Sequence, residues 1–191
     1  MTILVVATGN PGKLKEIQAH LADLGWELRP KPTELEVEET GTTFAENACL
    51  KASQIALATG EWAIADDSGL EVEALGGAPG VFSARYAEND AACIARLLKE
   101  LAGESNRAAR FACAIAIARP DGTIALQAEG ICPGEILLAP KGVDGFGYDP
   151  VFYSPDHQLA FAEMPPEMKR SISHRGKAFQ QLIPQLQALL N

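Results

Sequence analysis

The chain predicts a mixed α/β fold, and three observations carry that expectation. An apolar run, Ile3-Leu4-Val5-Val6-Ala7, breaks into the turn Thr8-Gly9-Asn10-Pro11-Gly12-Lys13 and continues as a helical pattern, as a buried strand feeding a helix does. Two further strand-like runs, residues 111–118 and 123–130, are joined by Arg119-Pro120-Asp121-Gly122 and form the clearest hairpin in the chain. Helical spacing of apolar residues returns at 43–59, 90–102 and 174–190, which sets helices around the strands.

Taken in order, the first strand is expected over about residues 2–8. A helix follows from 12 to about 24, with Leu14, Ile17, Leu21 and Leu24 on one face and Gly25 placed to stop it. Residues 26–42 read as an acidic loop that includes Glu34, Glu36, Glu38 and Glu39. Thr43-Phe44-Ala45-Glu46 is a capping box, in which the hydroxyl and the carboxylate satisfy each other's backbone amides; it opens a helix to about 59, stopped by Gly60. A short buried strand over 62–65 ends in Asp66-Asp67-Ser68-Gly69, and glycine-rich 75–80 is a loop. The helix over 90–102 turns Ile94, Leu97, Leu98 and Leu101 inward. Beyond the hairpin, 133–150 is rich in Gly and Pro and reads as irregular, 151–153 is a short strand, and 163–172 is polar with two prolines. The last helix buries Phe179, Leu182, Ile183, Leu186 and Leu190 and is expected to kink at Pro184. No repeat or linker divides the chain, so residues 1–191 are expected to be a single domain, or one domain in two lobes.

The 191 residues are 47% hydrophobic and 21% charged, enough to bury a core without staples. A net charge of −9 argues against duplex nucleic acid, which demands a basic face, while anionic small ligands can be held where Lys and Arg converge. Cys49, Cys93, Cys113 and Cys132 form no C-x-x-C pair and sit among apolar or small residues, so buried thiols in a reducing compartment are expected rather than a zinc site. Met1-Thr2 leads into the first strand with no basic leader, and no apolar run approaches the roughly 20 residues that cross a bilayer. A cytoplasmic protein with no membrane partner is expected.

A strand that breaks into a glycine-rich turn and a helix can hold phosphate: amides converge, the helix start is partly positive, and Lys13 adds a full charge. The turn is not a P-loop, whose glycines stand further apart and whose Lys precedes Ser or Thr, where this chain has Leu14. Plain strand–helix connections share its composition. Asp66-Asp67-Ser68-Gly69 sits at a strand end, where open α/β sheets bind ligands. Neighbours on an extended chain point oppositely, so one of the two Asp residues faces a given site; an Asx-type turn is the alternative. A Glu from the acidic loop with an Asp from the strand end would suit Mg2+, a hard ion that takes few carboxylates plus phosphate oxygens and water. Solvated glutamates are the plainer account of that loop.

Lys13, Lys51, Lys169 and Arg175 are candidate phosphate or base contacts. Phe146-Gly147-Tyr148-Asp149-Pro150 sets two aromatics in an irregular loop, either as anchors or to stack on a nucleobase that Asp149 would hydrogen-bond. Ser173-His174-Arg175-Gly176 puts cationic groups at a helix start, an electrostatic conflict that an acceptor-rich ligand would ease. His20 and His157 read as surface or helix-face residues. No catalytic triad, G-x-S-x-G motif or activated Cys is legible.

Seven motifs occur in order: Thr8-Gly9-Asn10-Pro11-Gly12-Lys13, Glu39-Thr40-Gly41, Thr43-Phe44-Ala45-Glu46-Asn47-Ala48, Ala65-Asp66-Asp67-Ser68-Gly69-Leu70, Gly77-Ala78-Pro79-Gly80, Phe146-Gly147-Tyr148-Asp149-Pro150 and Ser173-His174-Arg175-Gly176. With them the chain resembles the inosine triphosphate pyrophosphatase family, the Ham1-like non-canonical purine nucleoside triphosphatases, from the first strand to the last helix. Residues between 153 and 162 match nothing specific. The resemblance implies an elongated α/β fold, a mixed sheet with flanking helices in two lobes around a central nucleotide-binding cleft, and a homodimer. It implies Mg2+-dependent hydrolysis of ITP, dITP and XTP to monophosphate and pyrophosphate, cleansing the nucleotide pool.

By the same resemblance Thr8, Gly9, Asn10, Pro11, Gly12 and Lys13 are the phosphate loop. Glu39 and Asp67 are metal ligands, Asp67 is also the catalytic proton acceptor, and Ser68 touches substrate. Phe146, Gly147, Tyr148 and Asp149 hold the base, with Lys169, His174 and Arg175 completing its site. Arg175 and a protonated His174 offer donors only, so they would favour the O6 of inosine and xanthosine over the amino group of adenine. The competing expectation is a purine-nucleotide-binding sensor or interaction module. Carboxylates at 39 and 67 weigh against it, because they gain nothing from a polyanion without metal.

Overall fold

The computed structural model describes the backbone of residues 2–190 and the side chains of residues 2–189; Met1 and the side chain of Leu190, whose burial was expected, lie outside the described residues. The elements are β1 (Ile3–Val6), α1 (Pro11–Leu21), β2 (Glu27–Pro30), α2 (Phe44–Thr59), β3 (Trp62–Val72), α3 (Asp90–Glu100), β4 (Ala108–Ala118), β5 (Ile124–Ile136), β6 (Phe152–Ser154), β7 (Leu159–Ala160), α4 (Pro166–Ile172) and α5 (His174–Leu190). Seven strands make one open sheet in the order β2-β1-β3-β4-β5-β6-β7. It is mixed: β1 pairs parallel with β2 and β3, whereas β6 pairs antiparallel with β5 and β7.

The capping box forms as expected. Thr43 Oγ1 accepts from the Glu46 amide, the Glu46 carboxylate accepts from the Thr43 amide, and α2 ends at Gly60 in the left-handed region, at φ 69°. Helix α1 starts one residue early, because Pro11 takes the first helical position, where its missing N–H costs nothing, and Asn10 caps it. It also ends at Leu21 rather than 24, and Gly25 (φ 77°) turns the chain after a further bend.

Four expectations are corrected. Residues 26–42 are not all loop: Glu27–Pro30 is β2, an edge strand whose pairing to β1 on one side leaves no alternating pattern to read. Strand β3 does not end at Ala65 but runs to Val72, so Asp66-Asp67-Ser68-Gly69 lies inside a strand. Polar residues there do not stop the strand, because its pairing is not limited to β1, whose ladder ends at Ile64: β4 is its other neighbour. Strand β5 likewise runs through Pro133 to Ile136. Finally, 166–172 is the helix α4, with Pro166 as its first residue rather than a breaker.

Packing divides the chain into two compact units. The first is Met1–Asp67, Cys113–Gly130 and Arg175–Asn191. It is layered by strand alternation. On one face Leu4, Val6, Ile64, Ile115 and Ile117 pack against Ile17 and Leu21 of α1 and Phe179, Leu182 and Leu186 of α5. On the other, Val5, Ala7, Ala63, Ala65, Ala114, Ala116 and Ala118 meet Ala48, Ala52, Ile55 and Ala56 of α2. Alanine on both surfaces lets α2 lie close to the strands. The second unit is Ser68–Ala112 and Ile131–His174. Its core sets Leu70, Val72, Phe111, Cys132, Ile136 and Phe152 against Ile94, Leu97 and Leu101 of α3, and Phe111, Phe152 and Phe161 touch one another ring to ring.

Phe179 is fully buried and stacks on His20 with ring centroids 4.4 Å apart. Phe179→Ala is therefore expected to cost about 3–5 kcal/mol, the usual price of an aromatic-to-alanine cavity. Denaturant unfolding of the two proteins checks it, and a loss below ~1 kcal/mol would contradict a tightly packed α5 seat.

Candidate active site

The alternation that builds the first unit also sorts its charges. Asp66 shares the parity of Ile64 and points to the α1 and α5 layer; Asp67 shares that of Ala65 and points to α2. The parallel pairing of β3 with β1 ends at Ile64, so both carboxylates stand just past the end of that ladder.

Asp66 is buried, with its Oδ2 2.8 Å and 3.2 Å from Nη2 and Nε of Arg175 and 3.4 Å from Nζ of Lys13. Arg175 is itself buried and also donates to Glu16 of α1. Burial alone would raise the pKa of Asp66; Lys13, Arg175 and Lys51 outweigh it and hold the carboxyl well below the usual range. Burial would lower that of Arg175, and Asp66, Cys113 and Glu16 outweigh it, so the guanidinium stays charged. Cys113, whose Sγ lies 4.0 Å from Asp66, is pushed by burial up to about 12 and is no nucleophile.

On the other face, Asn47 Nδ2 donates to Asp67 Oδ2 at 3.0 Å. One helical turn further along α2, the Lys51 ammonium donates to Glu39 Oε1 at 2.6 Å and lies 3.7 Å from Asp67 Oδ1. Asn47 also accepts from the Gly41 amide at 2.8 Å, which ties the Glu39 segment to the helix. Gly41 is required there, since a Cβ would stand 2.7 Å from Asn47 Oδ1 and 2.7 Å from Glu46 Cβ. Burial raises the pKa of Asp67 and Glu39 adds to it, against Lys51, Lys13 and the Asn47 hydrogen bond. Burial would lower that of Lys51, but Asp67, Asp66 and Glu39 raise it.

Ahead of α1, Asn10 Oδ1 accepts from the Lys13 amide at 3.0 Å and Thr8 Oγ1 from the Asn10 amide at 3.1 Å. Gly9 is exposed and Gly12 partly so. Lys13 thus links this turn to Asp66. The first unit thereby gathers Thr8 to Lys13, Glu39, Asp67 and Arg175 of the residues singled out in the sequence, together with Asp66 and Lys51. Asn47 and Glu16 were not singled out for chemistry. Asn47 stands four residues before Lys51, a spacing that puts both on one helix face, and that was the signal available.

The second unit holds the rest. Asp149 is buried; its Oδ2 accepts from Lys169 Nζ at 2.6 Å and from the Phe146 amide at 2.9 Å. Lys169 also lies 4.8 Å from the centroid of the half-buried Phe146 ring. Tyr148 is buried and donates to the Ser83 carbonyl at 2.8 Å, and the Gly147 amide (φ 59°) donates to Asp90 at 2.7 Å. His174 is buried and stacks on Phe111, centroids 4.6 Å apart. Ser68 is half-buried in β3. His157 Nδ1 pairs with Ser154 Oγ at 2.9 Å. Among the described residues no group of three or more His, Cys, Asp or Glu could hold a metal, and no helix is long and apolar enough to cross a membrane. The four cysteines are thiols, with Cys49 only half-buried, against the expectation that all are buried.

A buried charge cluster past a parallel strand end, beside a capped helix start, stands where open α/β sheets bind ligands. The model of the Ham1 family matches residues 4–185, and the chain belongs to that family. It is 68% identical over 189 residues to a dITP/XTP pyrophosphatase of Nostoc sp. (strain PCC 7120), covering 99% of this chain and 96% of that one. It is 60% identical to one of Synechocystis sp. (strain PCC 6803), covering 97% and 95%. Among solved structures, a HAM1 protein from Coxiella burnetii superposes with a TM-score of 0.87 at 44% identity, covering 100% of this chain and 99% of that one. The Staphylococcus aureus Ham1 protein gives 0.84 at 40%, covering 99% and 98%.

Because Arg175 would be left as a buried charge, Asp66→Asn is expected to cost about 3–5 kcal/mol at neutral pH. The native pKa of Asp66 lies below its ordinary 3.8, so its contribution is complete above that pH and is lost as the pH falls through the native value. The stability gap between parent and variant should therefore be widest at neutral pH and narrow below 3.8. Unfolding curves across pH check it; a gap that grows in acid would contradict the assignment.

Proposed function

We propose that this chain hydrolyses non-canonical purine nucleoside triphosphates, ITP, dITP and XTP, to the nucleoside monophosphate and pyrophosphate. The observation that carries the reading is the pair Glu39 and Asp67, held on one cation beside the helix start that bears Lys13. The relatives named dITP/XTP pyrophosphatase support the same substrates.

The donor set suits a metal ion. Glu39 and Asp67 both reach the Lys51 ammonium, a buried meeting of two carboxylates on a positive charge. A polyanionic triphosphate brought to such a cluster needs a further cation. Glu39 and Asp67 are hard oxygen donors already drawn to a positive charge, and two carboxylates plus phosphate oxygens and water are what Mg2+ takes. When bound, Mg2+ supplies charge neutralisation at the phosphates and acidifies a coordinated water.

The chain's own groups do the rest. Lys13 and the start of α1 receive phosphate. Asp67 accepts the proton of the water that attacks the α-phosphorus. Asn47 fixes that carboxylate through Oδ2. Ser68 contacts substrate. Phe146, Gly147, Tyr148, Asp149, Lys169 and His174 are the proposed base contacts; Phe146 offers the half-buried ring, and Asp149 is paired with Lys169. Arg175 acts from its seat on Asp66 and Glu16. We read residues 1–191 as one catalytic domain, acting in the cytoplasm as a homodimer.

Pyrophosphate release from ITP, dITP, XTP, GTP and ATP, with Mg2+ and with EDTA, tests the proposal. The expected outcome is metal-dependent release from the first three far above the last two. Tight Mg2+–ITP binding without release would instead make the chain a nucleotide sensor. Asp67→Asn should lose about a hundredfold or more in turnover, the scale of a general base, while keeping its unfolding midpoint. Unchanged turnover in a metal-replete variant would remove Asp67 from the reaction.

A further inference from the structure

We propose that Lys51 is the resident counter-ion of the metal seat: its ammonium holds Glu39 and Asp67 together until the phosphates of a nucleotide draw it away, so that metal and nucleotide load as one event. The inference rests on the reading of Glu39 and Asp67 as the carboxylates that take a divalent cation.

The geometry of α2 carries it. Asn47 and Lys51, one turn apart, face the same two acidic segments. Asn47 is fully buried and short, and its amide is committed at both ends, to the Gly41 amide and to Asp67 Oδ2. It fixes where the carboxylates stand. Lys51 does something different. Its ammonium reaches over a flexible stem to the other oxygen of Asp67, Oδ1, at 3.7 Å, and to Glu39 Oε1 at 2.6 Å.

A compact point charge on a flexible stem can leave without moving the helix, which a guanidinium held on several bonds does not do. Arg175, bonded to both Asp66 and Glu16, is the contrasting case within the same unit. A divalent ion entering between Glu39 and Asp67 meets the ammonium at close range, and like charges that near repel strongly in a site shielded from water. The Lys51 side chain is only 14% exposed, so solvent screens little of that repulsion. A triphosphate carries more negative charge than the two carboxylates and offers oxygens along its length. It draws Lys51 off, and the seat then accepts the metal. Removal of the ammonium should therefore let the seat take metal with no nucleotide present.

Mn2+ titrations followed by electron paramagnetic resonance test this on the full chain, with and without the α,β-imido analogue of ITP, which cannot be cleaved. Lys51→Met should bind Mn2+ at least about tenfold tighter than the parent in the absence of nucleotide, since one close like-charge contact is worth that much or more. Lys51→Gln should move the same way, and Lys51→Arg should stay as weak as the parent, which a merely structural role for the side chain does not predict. Melting curves identify any variant that fails to fold, and the remaining neutral variant then carries the test. Equal or weaker Mn2+ binding by a folded neutral variant overturns the inference. Glu39→Gln in the Lys51→Met background separates the two levels. Loss of Mn2+ binding there supports the carboxylate seat whatever Lys51 does, whereas undiminished binding means that the reading beneath the inference has failed.

Discussion

A carboxylate ionised in the interior of a β-strand is the constraint on which the first unit depends. Asp66 sits in β3 with its side chain shut off from solvent, and it stays charged because Lys13 and Arg175 close on it and Lys51 adds its charge. Those partners come from opposite ends of the chain. Lys13 lies in the first turn of α1, and Arg175 in the first turn of α5, where Glu16 also holds it. The pairing fixes how both helices start over the sheet, and the hydrophobic contacts of Ile17, Leu21, Phe179 and Leu182 then fill the layer beneath. A cation at a helix N-terminus opposes the helix dipole. Here the buried carboxylate more than compensates, which resolves the conflict seen in Ser173-His174-Arg175-Gly176.

Asp67 is subject to the same strand and the opposite outcome. Its neighbour is satisfied by two strong cations, whereas Asp67 shares Lys51 with Glu39 and leans on a neutral amide. Burial therefore wins in one case and loses in the other, and the two pKa values move apart. Adjacent residues shift in opposite directions because the cations around Asp66 outweigh its burial, whereas burial dominates at Asp67.

The glycines and small residues matter where they permit approach. Gly41 lets the Glu39 segment reach Asn47, and the alanines of α2, β3 and β4 let the helix that carries Asn47 and Lys51 sit close to the sheet. In the second unit a Cβ on Gly145, at φ 78°, would collide with Asp149 Oδ2, so the loop holding Phe146 closes over Asp149 only with glycine there.

Much of this was legible in the chain. The strand–turn–helix start, the capping box, the hairpin and the inward faces of α3 and α5 are local patterns, written in spacing that any window of residues displays. So is the rule that Asp66 and Asp67 face apart, because alternation along a strand is a property of the backbone. The sequence could not show that β3 continues through Asp66-Asp67-Ser68-Gly69, since hydrogen bonds to strands far along the chain, not side-chain propensity, keep it extended. Nor could it show which cation each carboxylate takes. Arg175 reaches Asp66 across more than half the chain, and Lys51 meets Glu39 only because Gly41 and Asn47 fold that segment back. The sequence alone determined which groups are available and which face of each element they occupy; tertiary structure decided their partners, because Coulomb energy in a buried site depends on distances that only the packed layers fix.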